Sequence, residues 1–121
     1  MTDAAKIAET YIAAWNETDP AARRAIIDRS WTPEATYVDP LASVAGATEI
    51  AGLIAAVQGR FPGFRFGLIG EADGHGEHVR FSWGLGPDGA ADAPIKGTDY
   101  VRLEDGRLAA VTGFLDQVPA A

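Results

Sequence analysis

The sequence predicts an α+β domain in which three N-terminal helices pack on a mainly antiparallel sheet. Two observations carry this. Up to about residue 61, apolar residues recur at helical spacing in three stretches, punctuated by Asp-Pro, Thr-Pro and Gly signals. From Phe64 onward they alternate with polar residues in four segments joined by Gly-rich turns. The 121 residues suit one domain, 1–121, able to bury a core.

The first helix spans Asp3 to Asn16. Ile7, Tyr11 and Trp15 recur every four residues beside Ile12, and Asp3 is a fair cap. Thr18-Asp19-Pro20 opens a second helix, to Arg29, with Ala22, Ile26 and Ala25 facing in and Arg23, Arg24 and Arg29 on its surface. Thr32-Pro33 is a break, after which Ala35 to Asp39 forms a short strand. A loop runs to Gly46. The third helix, about Ala47 to Gln58, carries Ile50, Leu53, Ile54 and Val57 at helical spacing, with Phe61 beyond; Gly59 and Pro62-Gly63 stop it.

Phe64, Phe66 and Leu68 open the first alternating segment, and Ala72 to Gly76 reads as a turn. Val79, Phe81, Trp83 and Leu85 form the next inward set, followed by a loop from Gly86-Pro87-Asp88-Gly89. Ile95 to Leu103 alternates again. Glu104-Asp105-Gly106 is a hairpin turn of the acid-Gly type. The last strand, Leu108 to Leu115, is apolar on both faces: Leu108, Ala110 and Phe114 against Ala109, Val111 and Leu115. A second apolar face is expected to be covered, by a second copy of the chain or within one chain.

Charge narrows the partners. Ten basic against seventeen acidic residues leave a net charge of −7, which argues against nucleic acid and anionic membranes. No apolar run reaches the length of a membrane span. Met1 leads into Thr2-Asp3 without a signal-peptide pattern, so a cytoplasmic location is the default expectation. With no cysteine there is no disulfide or thiolate chemistry. His75 and His78 beside a Gly-rich turn match no strong ligand spacing, and no phosphate loop leads from a strand into a helix. Neither a metal nor a cofactor is expected.

Two acids stand out. Asp39 ends a strand on the face shared with Tyr37 and Ala35, just before Pro40. It is either a turn carboxylate capping nearby N–H groups or a reactive group at a strand mouth. Asp99 falls in the apolar set Ile95, Gly97, Val101 and Leu103, while Lys96, Thr98, Tyr100 and Arg102 take the wet face. A lone acid on an apolar face pays desolvation, which raises its pKa. Should Tyr11 meet both, the site holds two carboxyls and a phenol in an apolar cup, suited to proton transfer.

These residues resemble ketosteroid isomerase and the wider SnoaL-like, nuclear-transport-factor-like superfamily. The likeness rests on Tyr11-Ile12-Ala13-Ala14, on Glu34 to Pro40, on Gly46-Ala47-Thr48-Glu49-Ile50, and on Thr98-Asp99-Tyr100-Val101-Arg102-Leu103. It implies a curved sheet closing with the helices into a cone around an apolar pocket. It also implies Asp39 as general base, and Tyr11 and a neutral Asp99 as the oxyanion hole; a homodimer through the sheet is expected from the second apolar face of the last strand, not from the likeness. The protonated acid of that isomerase is a known worked case. Trp15, Trp31, Tyr37, Ile54, Phe61, Phe66, Trp83 and Phe114 are the expected pocket walls. Ile54 stands where isomerases carry a supporting tyrosine, and Trp15 replaces a smaller residue. A small enolisable ketone or polyketide-like compound is therefore expected rather than a steroid. The alternatives are a non-catalytic small-molecule-binding or dimerisation module, and, ranked lower, a limonene-type epoxide hydrolase. The latter needs an arginine between its carboxylates, whereas Arg80 and Arg102 fall on the wet faces.

Overall fold

The computed structural model describes residues 3–87 and 92–119. Its order is α1 (Ala4–Asn16), α2 (Pro20–Ser30), β1 (Trp31–Val38), β2 (Ser43–Ala45), α3 (Ala47–Arg60), β3 (Arg65–His75), β4 (His78–Gly86), β5 (Ile95–Glu104) and β6 (Arg107–Gln117). One curved, open six-stranded sheet runs β2-β1-β6-β5-β4-β3. Every pairing is antiparallel except β1 with β6. The α+β reading holds.

Local chemistry explains the elements. Asp3 caps α1 by accepting from Lys6 N–H, and Asp19 caps α2 by accepting from Ala22 N–H, with Pro20 at the first helical position. Asp105 and Gly106 both take positive φ, 52° and 79°, the mirror-image turn that suits the right-handed twist of β5 and β6. α1 buries Ala8, Tyr11, Ile12 and Trp15 in the core, with Tyr11 edge-on to Phe81 of β4 and Trp15 edge-on to Phe66 of β3. That burial, at roughly 25 cal/mol per Å² of apolar surface, holds the layers together.

Several boundaries differ from the sequence reading. β1 begins at Trp31, not Ala35, because Pro33 is accommodated where the β1–β6 register is interrupted between Trp31 and Thr36. Ser43–Ala45 pairs with Thr36–Val38 as a short edge strand where a loop was expected. α3 runs past Gly59 to Arg60. Ala72 to His75 is strand, paired Asp73 with Arg80 and Gly74 with Val79; the turn is Gly76-Glu77. The loop expected from Gly86 lies partly at 88–91, outside the described residues.

Two corrections concern faces. Arg23, read as surface, is buried; α2 faces inward with Arg23 and Ile27, Ile26 packs half-buried against the core and Ala22 is half-buried, whereas Ala25 is exposed. The Arg23 stem packs inward while Nε donates to Glu17 O and a terminal nitrogen donates to Gln58 Oε1 at 2.6 Å. Gln58 in turn donates to Trp15 O and Glu17 O, so one polar clamp ties the ends of α1 and α3. In β6, Ala109 is a bulge: Leu103 pairs with Leu108, Arg102 with Ala110. The bulge turns Leu108 to the same inner side as Val111, leaving Ala110, Thr112 and Phe114 on the outer face. Among the described residues no helix is long and apolar enough to cross a membrane.

Candidate active site

The parallel β1–β6 pair positions the site. Its register sets Val38 against Thr112, so the next residue, Asp39, comes beside Gly113. In the β5–β6 ladder Gly113 pairs with Asp99. Asp39 and Asp99 thus flank a residue with no side chain. A Cβ on Gly113 would stand 2.9 Å from Asp99 Oδ1, 3.3 Å from Asp39 Cβ and 3.5 Å from the Tyr37 hydroxyl. A lone glycine inside an apolar strand marks such a close approach, and this signal was present in the sequence.

Each acid is held by a tyrosine. Tyr11 donates to Asp99 Oδ2 at 2.5 Å, and the Trp83 indole N–H donates to Asp99 Oδ1 at 3.1 Å. Tyr37 donates to Asp39 Oδ2 at 2.6 Å. Asp39 Oδ1 accepts from Leu41 N–H and Ala42 N–H, both at 2.8 Å. Asp39 therefore caps the turn and at the same time lines a cavity. Asp99 is 1% exposed. Burial pushes its carboxyl up to about 6; the bonds from Tyr11 and Trp83 pull the other way, and the charges of Asp39 and Asp116 add to the rise. Burial likewise raises the Tyr11 and Tyr37 hydroxyls well above the ordinary phenol value, so both remain donors.

These groups open on one apolar cavity of about 260 Å³, just under the usual range for ligand pockets, roughly 300–1,000 Å³. Tyr11, Asp39 and Asp99 all line it. So do Trp15, Tyr37, Phe61, Phe66 and Trp83, as the sequence led us to expect. Phe114 borders it but is 56% exposed, and by register it belongs to the outer face. Two expected wall residues are elsewhere. Trp31 stacks on the far side of Tyr11, rings 5.7 Å apart, and Ile54 is fully buried between α3 and its neighbours. Neither lines the cavity, because helix and strand periodicity marks a residue as buried without saying on which side of the core it lies. Leu41, Val57, Arg60, Leu85, Ile95 and Leu115 complete walls that sequence reasoning did not assign. Among the described residues, Arg60 is the one arginine lining the cavity; Arg80 and Arg102 lie exposed on the outer strand faces. Among the described residues no group of three or more His, Cys, Asp or Glu is placed to hold a metal.

The model of the SnoaL-like domain matches residues 8–111. The chain belongs to the SnoaL-like family. No curated protein matches it. Among solved structures, this SnoaL-like chain is similar to a candidate isomerase of the family from Agrobacterium tumefaciens. The two are 48% identical, with 96% of this chain and 99% of that one covered and a TM-score of 0.89. A candidate polyketide cyclase from Sinorhizobium meliloti is 18% identical over 89% and 93% of the two chains, TM-score 0.71. A candidate ketosteroid isomerase from Kribbella flavida is 15% identical over 98% and 81%, TM-score 0.71. The last two likenesses establish the fold alone.

Proposed function

We propose that this SnoaL-like domain catalyses cofactor-independent proton transfer on a small apolar carbonyl compound, isomerising or cyclising it through an enolate. One observation carries the reading: two carboxyls with unlike surroundings meet in one apolar cavity. Asp39 accepts three hydrogen bonds, which orient it, and carboxylate oxygens retain lone pairs for a substrate proton. Asp39 takes the proton next to the carbonyl. Asp99 is poised to be neutral: once protonated it donates rather than accepts, and Tyr11 is released to donate toward the cavity. Tyr11 and neutral Asp99 then meet the oxygen on which charge develops. The cavity volume favours a compact ketone or polyketide-like fragment over a steroid.

The isomerase-like neighbour at 48% identity supports the general class and not the substrate. A homodimer through the outer sheet face belongs to the same proposal: Val38, Tyr100 and Phe114 are exposed there, at 44%, 37% and 56%. The experiment is a screen of small β,γ-unsaturated ketones for conjugation and for deuterium exchange next to the carbonyl, with Asp39→Asn as control. Turnover abolished in that variant supports the proposal. Equal activity in both proteins, or ligand-induced stabilisation with no exchange for any ketone, favours the binding-module reading.

A further inference from the structure

We infer that Trp83 is a positioning residue for the site, seated on Gly97 so that its indole N–H holds one oxygen of Asp99 and leaves the other to Tyr11. The seat is visible in the backbone. Trp83 on β4 pairs directly with Gly97 on β5, two residues from Asp99. A Cβ at Gly97 would stand 2.3 Å from Trp83 Cζ2 and 2.7 Å from Cε2, with Phe114 O also at 2.7 Å. Any other residue would lift the ring off the strand. Gly97 takes no positive φ, so its role is space and not turn geometry. Phe66 braces the ring from β3 in an edge-on contact, centroids 5.3 Å apart. The flat indole then directs Nε1 along β5 to Asp99 Oδ1, 3.1 Å away.

The bond has a chemical consequence. An acid buried to this depth, with only a phenol for support, tends to stay protonated. A second donor favours the carboxylate and keeps Asp99 able to release its proton near neutrality. Among the described residues, the other titratable and charged groups around Asp99 are Tyr11 from α1, Tyr37 and Asp39 from β1 and its end, Asp116 from β6, and Arg60 on the cavity wall from α3. Among the described residues, Trp83 is the only indole bonded to it.

The catalytic consequence rests on the proton-transfer reading above, but the titration does not. The test is carbon-13 NMR of the Asp99 carboxyl in the intact protein, beside the nitrogen-15 indole signals of its three tryptophans. In the wild type, the Trp83 N–H signal moves with the same midpoint as the Asp99 carboxyl. In W83F, and in G97A through displacement of the ring, that midpoint rises by about one pH unit, the worth of one hydrogen bond to a charged group. If a ketone substrate is in hand, the pH limb of the rate follows. An indole signal blind to Asp99 ionisation overturns the inference on the wild type alone, even should both variants fail to fold. So does an unchanged midpoint in a folded W83F, which would mark the ring as mere packing. Absence of turnover in any ketone screen bears on the proposed function and leaves these midpoints untouched.

Discussion

Asp39 and Asp99 face each other across Gly113, from strands that are not neighbours. Strands lie about 4.8 Å apart, so two acids separated by one strand meet only if the middle residue has no side chain. Gly113→Ala places a methyl group 2.9 Å from Asp99 Oδ1. We expect a loss of about 1–3 kcal/mol in stability from overpacking, together with loss of turnover. Urea unfolding and the ketone assay check the two effects separately.

Removing the proposed base gives the sharpest kinetic outcome. Asp39→Asn is expected to lower kcat about 10²–10⁴-fold, the usual worth of a positioned base. Asn keeps an oxygen for the Leu41 and Ala42 N–H groups, so the melting temperature should change little. A large drop in melting temperature with activity retained would assign Asp39 to the turn alone.

Tyr37 tests the orientation of that base. Tyr37→Phe removes the 2.6 Å bond to Asp39 Oδ2 and keeps the ring against Trp15, 5.7 Å between centroids. A fall of roughly tenfold in kcat is expected, matching one lost hydrogen bond of about 1.4 kcal/mol. Steady-state kinetics with KM unchanged is the expected pattern.

The pH dependence of the rate follows from Asp99. In the proposed mechanism its carboxyl carries a proton to donate to the forming enolate, and its pKa is raised to about 6. Turnover is therefore highest below this value and declines as the pH rises through it, up to tenfold per unit. A rate profile between pH 5 and 9 on kcat/KM reads the limb.

Stability carries the same signature with a definite sign. The folded pKa of about 6 lies above the ordinary 3.8, so between pH 4 and 6 the folded state binds more protons than the unfolded chain. Stability then falls as pH rises through that window and levels off above it. The difference, 6 − 3.8 units, amounts to about 3 kcal/mol. Asp99→Asn lacks this slope, so subtracting its denaturation curves from those of the wild type isolates it. Parallel curves would refute the raised pKa.

Much of the chain was legible from periodicity. Tyr11, Trp15 and Ile12 declare the buried side of α1, and Val79, Phe81, Trp83 and Leu85 that of β4, because spacing alone decides which residues share a face. The same alternation put Asp99 inside and set Tyr37 and Asp39 together. Where the alternation breaks, reading fails: the Ala109 bulge reversed Leu108, and nothing in the order of residues announced it. Arg23 was misplaced because a guanidinium becomes a core residue only when another segment brings carbonyls and Gln58 to it.

What the order of residues could not contain is the pairing between distant strands. That β1 runs parallel to β6, bringing Asp39 beside Gly113, depends on where α3 and four intervening strands send the chain. Local pattern assigns a side chain to the inside of the protein. Only the packing of segments far apart in sequence assigns it to the cavity, as with Trp15, or to solid core, as with Trp31 and Ile54. Side-chain period is a property of one strand or helix, and a site is a property of several.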